Sequence, residues 1–271
     1  MKNKEASKAI GIFDSGVGGL TVFAAVRRHL PNESLVYLGD TARVPYGIRS
    51  AETILRYSME CCGFLAGQNV KAIVVACNTA SAYALQELTQ KFDLPIIGVV
   101  GSGVRAALDG KSNASIGVIG TAATVASGIY GRMIRAESPA SRVTEVACPL
   151  FVPLVEEGWL EGEVTEAVIQ KHCAPFVEAP VDRLILGCTH YPLLKEALQK
   201  VLGHGVRLVD SAEEVAKDLL FLLQEKRLLA DSQIKSENKI FVTDLPQKFQ
   251  QVATLFLNSQ LPPIEKVSVQ W

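Results

Sequence analysis

Charge of one sign is what this chain most plainly lacks: 27 basic residues stand against 28 acidic ones over 271 positions, a formal net of -1. No basic stripe and no interleaving of aromatic with basic residues occurs, which excludes nucleic acid as the default partner. A small acidic substrate would have to be held by local donors instead of a global field. Long apolar runs are missing too. None approaches the ~18 residues needed to cross a bilayer, so no membrane partner is expected. The opening MKNKEASKAIGIFDSG carries early lysines, but Asp14 interrupts its apolar stretch before a signal-peptide core can form. A cytoplasmic chain is the expectation.

Metal-ligand spacing is absent as well, with no CxxC and no HExxH, and Cys188 and His190 have no neighbours in sequence that would complete a zinc set. No metal is expected. Six cysteines in a cytosolic chain of this length read as free thiols. The cluster Gly16-Val17-Gly18-Gly19 falls short of a dinucleotide fingerprint, because Thr21 stands where the third glycine is required. Asp14 would also set a carboxylate where a pyrophosphate should lie. The glycines are then expected to let backbone approach a small ligand.

What is present is apolar residue in quantity, 48% of the chain, enough for a sizeable core. Short apolar runs alternate with helical patterns: AIGIF (9–13), SLVYLG (34–39), AIVVAC (72–77), PIIGVV (95–100), SIGVIG (115–120) and RLILGC (183–188). Their length and Val/Ile content suit strands covered on both faces, which is the signature of a parallel α/β sheet. An internal repeat runs through them. IGIFDSGVGG (10–19) aligns with IGVIGTAATV (116–125), and AIVVACNTASAYALQEL (72–88) with RLILGCTHYPLLKEAL (183–198), at offsets of 106 and 111 residues. Two matches in order at a near-constant offset predict two similar α/β domains. The first is expected to comprise 1–98 plus 208–271, and the second 99–207. The tail shows one helix and one strand, packed back on the first domain.

Ligands in open parallel sheets sit outside the carboxyl ends of the strands. The polar residues there are Asp14 and Ser15, Asp40 to Gly47, Cys77-Asn78-Thr79, Thr121, and Cys188-Thr189-His190. Each cysteine falls where a strand is expected to give way to a helix, with Asn78 and Thr79 suited to capping. Amide groups and the helix dipole at such a point would lower a thiol pKa. A buried cysteine can also be simply a small hydrophobe, the reading given to Cys61, Cys62, Cys148 and Cys173. Two cysteines at matching places in a repeat favour chemistry. His190 is placed to orient or tune Cys188. Racemisation of an amino acid, Cys–His hydrolysis, and amino-acid binding without catalysis all remain open at this point.

The segments GIFDSGVGGLTV (11–22), YLGDTARVPYG (37–47), VVACNTASA (74–82), ACPLFVPLVEEG (147–158) and LGCTHYPLL (186–194) resemble glutamate racemases, within the aspartate/glutamate racemase superfamily. That resemblance implies two Rossmann-like α/β domains with mostly parallel sheets, related by a pseudo-twofold, with the active site in the cleft between them. It implies cofactor-free interconversion of L- and D-glutamate, supply of D-glutamate for bacterial peptidoglycan, a cytoplasmic location and a homodimer. Cys77 and Cys188 are implied as the proton donor/acceptor pair, with Asp14, Glu156 and His190 assisting; the Glu156/Glu157 doublet leaves the choice of acid open. Substrate contacts are implied at Asp14, Ser15, Pro45, Tyr46, Gly47, Asn78, Thr79, Thr121, Thr189 and His190. Aspartate racemase is the alternative within the superfamily. GVVGSGVRAA (98–107) departs from the family, where relatives often carry Glu-Pro near 101–102, at the segment expected to join the domains.

Overall fold

The computed structural model describes residues 4–231, 236–257 and 261–269; the remaining parts of the expected first domain (1–3, 232–235, 258–260 and 270–271) lie outside the described residues. From the start, the chain runs β1 (Ile10–Asp14), α1 (Leu20–His29), β2 (Leu35–Gly39), α2 (Ala51–Gly67), β3 (Ala72–Val75), α3 (Asn78–Lys91), β4 (Ile96–Gly98) and α4 (Val99–Leu108). It continues through β5 (Ser115–Gly120), α5 (Ala122–Ser127), α6 (Ile129–Glu137), β6 (Arg142–Ala147), α7 (Phe151–Glu156), α8 (Glu163–Glu178), β7 (Arg183–Gly187) and α9 (Lys195–Leu202). Last come β8 (Arg207–Asp210), α10 (Ser211–Glu225), β9 (Asn238–Val242), α11 (Pro246–Phe256) and β10 (Ile264–Lys266).

All pairings are parallel. They build a six-stranded sheet in the order β10-β9-β2-β1-β3-β4 and a four-stranded sheet in the order β6-β5-β7-β8. The repeat read from sequence survives at the level of register. Ile10 lies opposite Ala72 in the first sheet, and Ile116 opposite Arg183 in the second. These are the pairs that the two sequence alignments make equivalent, so the segments after β3 and β7 leave their sheets at matching points.

Strands β1, β2, β3 and β7 are buried along their whole length, as helices on both faces require. Besides β10 in the tail, two strands were not legible in sequence. β6 (RVTEVA) and β8 (RLVD) are sheet edges, only partly covered, and carry polar residues that break an apolar run. In PIIGVV the strand stops at Gly98, and Val99 and Val100 open α4; packing of that helix against α10 and β7 overrides their β preference. The tail holds more than the one helix and one strand expected. β9 pairs with β2, α11 follows, and β10 adds a further strand. β8 pairs with β7 out to Asp210, so the second sheet continues past residue 207.

A buried ion pair ties together the amino ends of β2 and β3, on either side of β1. Lys71, its side chain 0% exposed, meets Glu33, 2% exposed. Lys71 Nζ also donates to the Ala6 carbonyl at 2.7 Å, while Glu33 Oε1 accepts from the Ala230 amide at 2.8 Å. Removing one partner strands the other charge out of water. Lys71→Met should therefore cost about 3–5 kcal/mol of unfolding free energy, read by urea titration; a loss below about 1 kcal/mol would show the pair to be energetically idle.

Candidate active site

The carboxyl ends of β1, β2, β3, β5 and β7 and the end of α7 converge on a cavity of about 310 Å³. Cys77 and Cys188 both line it, each about 7% exposed or less. Of the other residues expected there, Ser15, Pro45, Tyr46, Gly47, Asn78, Thr121, Glu156, Thr189 and His190 also line it. Asp14 and Thr79 do not: both are buried behind the lining residues.

Asp14 ends β1 with its side chain out of water. Its Oδ2 accepts from the Gly16 amide at 2.8 Å and its Oδ1 from the Thr189 hydroxyl at 3.5 Å. Burial pushes its pKa up; the nearby His190 charge and the amides of Gly16 and Gly19 oppose that rise. The glycines that follow do not open space for a ligand, as sequence led us to expect. A Cβ on Gly18 would overlap the Thr189 hydroxyl and the His190 ring, and one on Gly19 would overlap Asp14. They allow the loop of the first sheet to press on the β7 loop of the second. Gly47 does the same elsewhere, since a Cβ there would lie 2.6 Å from Thr121 Cβ.

The two cysteines sit in unlike surroundings. Cys77 itself caps α3, its Sγ accepting from the Ala80 amide at 3.5 Å, so Asn78 and Thr79 occupy the first turn and are not the cap. Its thiol donates to Ser15 Oγ at 3.4 Å. The expected lowering of its pKa does not occur: burial, and then the Asp14 carboxylate, push it up to about 12. Desolvation outweighs the dipole here. After Cys188 the chain makes a turn and a short 3-10 helix (Tyr191–Leu194) before α9, so no α-helix starts directly at that sulfur. Its charged neighbour is a side chain instead. His190 Nδ1 lies 3.9 Å from Cys188 Sγ, and His190 Nε2 lies 3.1 Å from Glu156 Oε1. Burial disfavours the imidazolium, but hydrogen bonds to Cys188 and Glu156 overcome it and raise the pKa to about 10. The same bond from His190 lowers the pKa of Glu156 against the effect of its burial. Glu157 lines the cavity too, but it is Glu156 that meets the imidazole.

Several partners of these residues, among them Thr124, Thr243, Phe256 and Tyr130, escaped the sequence reading. The hydroxyls of Thr79, Thr121 and Thr124 form a ring with 3.0 Å edges, joining α3 to α5. Asp40, fully buried, accepts from the Tyr46 hydroxyl at 2.5 Å, from Arg43 Nε at 2.7 Å and from the Thr243 hydroxyl at 2.9 Å. Thr243 belongs to the tail, as does Phe256, whose ring packs edge-on to His190 with centroids 5.4 Å apart. Tyr130 on α6 donates to Asn78 Oδ1 at 2.7 Å. No local pattern marks a residue that reaches the site only through packing. Among the described residues no three His, Cys, Asp or Glu side chains converge as a metal site requires.

The charge on His190 has a consequence for stability. Folding raises this pKa from 6.5 to about 10, so the stabilisation is complete below about pH 6.5 and is lost as the pH climbs to about 10. In urea unfolding across that window, the advantage of the wild type over His190→Gln should shrink steadily with rising pH. A gap that stays constant would contradict the imidazolium assignment.

Comparison with known proteins places the chain in a family. The family described as Asp/Glu/Hydantoin racemase matches residues 20–219. A glutamate racemase of Geobacter metallireducens is 46% identical over 263 residues, covering 97% of both chains. One from Aquifex pyrophilus is 50% identical over 253 residues, 93% of this chain and 95% of the relative. The solved structure of glutamate racemase from Francisella tularensis in complex with D-glutamate superposes with a TM-score of 0.92 at 38% identity, covering 97% of this chain and 98% of that one. Matched over most of its length by family and relatives alike, the chain belongs to the Asp/Glu/hydantoin racemase family and is an amino-acid racemase.

Proposed function

We propose that this protein interconverts L- and D-glutamate without a cofactor, using Cys77 and Cys188 as acid/base groups on opposite faces of the substrate Cα. The observation that carries this reading is positional. Two thiols leave equivalent points of two sheets with the same register, and both line one cavity. Glutamate as substrate rests on the full-length likeness to glutamate racemases.

In each half-cycle one sulfur, as thiolate, takes the α-proton while the other, as thiol, delivers one to the far face. A single base in one fixed pose could not serve both faces. After turnover the two sulfurs have exchanged protonation states. Following the family pattern, Cys77 takes the proton of the D-enantiomer and Cys188 that of the L-enantiomer. The His190 imidazolium is the counter-charge when Cys188 is anionic, and Glu156 holds that imidazolium in place. Asp14 stands behind Cys77, where burial and then the Asp14 carboxylate favour the thiol form that delivers a proton. Charge developing on the substrate is met by Ser15, Asn78, Thr121 and Thr189, with Pro45, Tyr46 and Gly47 closing another wall. None of the described residues lining the cavity is a lysine that could form a Schiff base.

The same reading divides the chain into two domains, with the boundary expected at 207/208 moved to the end of β8 at Asp210, giving 1–98 plus 211–271 and 99–210. It places the enzyme in the cytoplasm as a homodimer, and gives it the task of supplying D-glutamate for peptidoglycan. Among the described residues no helix is long and apolar enough to cross a membrane.

The test is incubation with L-glutamate in deuterated water without added cofactor. Optical rotation should decay while deuterium appears at Cα. Retained rotation with no exchange, in reduced and folded protein, would overturn the proposal; activity on L-aspartate alone would reassign the substrate. Cys77→Ser and Cys188→Ser should each lower racemisation by about 10²–10⁴-fold, measured by circular dichroism of the substrate.

A further inference from the structure

Asn78 stands in the first turn of α3, directly after Cys77, is 4% exposed and lines the cavity. An asparagine amide presents an acceptor oxygen at one corner and two donor hydrogens at the other. Which corner faces the cavity decides whether the group attracts or repels an anionic oxygen. In this chain an element of the other sheet makes that choice. Tyr130, on α6 and fully buried, places its hydroxyl 2.7 Å from Asn78 Oδ1. That separation is typical of an O–H donor meeting an oxygen acceptor. The phenol keeps its proton, because burial pushes its pKa well above the ordinary value. With Oδ1 occupied by Tyr130, the amide nitrogen is the corner left for the cavity.

We propose that Tyr130 is a positioning residue that locks Asn78 with its N–H₂ group towards the substrate, so that this wall of the cavity selects a carboxylate oxygen. The inference rests on the glutamate reading above and deepens it. Tyr130 touches no substrate; it acts through Asn78. Tyr130 follows β5 of the four-stranded sheet and Asn78 follows β3 of the six-stranded one, so the donor is set only when the two halves are packed together. Nothing in GIYGRM (128–133) marks this tyrosine, because its partner lies 52 residues away.

The experiment is a double-mutant cycle on kcat and KM for L-glutamate, with wild type, Tyr130→Phe, Asn78→Ala and the double variant. Tyr130→Phe should raise KM by about 3- to 10-fold and leave kcat nearly unchanged. In the Asn78→Ala background the same change should have no further effect on KM. Independent, multiplicative effects on KM, or a Tyr130→Phe variant with wild-type KM, would overturn the proposal. A second readout does not depend on any variant folding: the Asn78 side-chain NH₂ resonances of the wild type should shift on titration with D-glutamate. Binding that leaves them unmoved would also overturn it. A wild type that binds D-glutamate and moves these resonances but racemises nothing would refute the catalytic reading and leave this one standing.

Discussion

A carboxylate without water must find its hydrogen bonds inside the protein, and Asp14 finds them in two places at once. One oxygen takes the amide of the loop that follows it, and the other takes a hydroxyl from the far sheet. That division fixes the turn at 15–19 and draws it against Thr189 and His190, an approach that tolerates no side chain at Gly18. The position of the β7 loop follows from this seam, and with it the place of Cys188. An unsatisfied or exposed Asp14 would remove the reason for the two halves to meet at this point.

The seam also makes the two thiols electrostatically unlike, although their backbones are equivalent. Cys77 faces a buried acid and a hydroxyl, and holds its proton tightly. Cys188 faces an imidazolium that is itself secured by Glu156. A symmetric fold therefore gives the two sulfurs unlike electrostatic surroundings. Two acid/base groups serving opposite faces of one carbon have opposite tasks at any instant, and unlike neighbours suit that division.

The C-terminal tail does more than extend the first sheet. Thr243 completes the hydrogen bonds of Asp40, which in turn holds Tyr46 at the cavity wall. Phe256 makes a T-shaped contact with the buried His190 ring. Lys248 adds positive charge near Glu156, reinforcing its ionised state. Three residues of the tail, distant in sequence from both cysteines, thus shape their surroundings.

Much of the architecture was legible in the chain itself. AIGIF, SLVYLG, AIVVAC, SIGVIG and RLILGC are strands because a strand covered on both faces has to be apolar throughout, and no context is needed to see that. The repeat placed Cys77 and Cys188 at equivalent strand ends, and the register pairs agree. Edge strands β6 and β8 were invisible, since half-exposed residues leave no apolar run. The helix-end argument for Cys77 gave the wrong direction for its pKa, because a sequence shows the dipole but not the depth of burial. Likewise only the folded chain chose Glu156 over Glu157 as the partner of His190, and only it aimed Asn78 through Tyr130. Strand and helix identity come from patterns a few residues long, so sequence alone determined them. Proton affinities and hydrogen-bond directions depend on desolvation and on partners brought together from distant segments, and those were decided by tertiary structure.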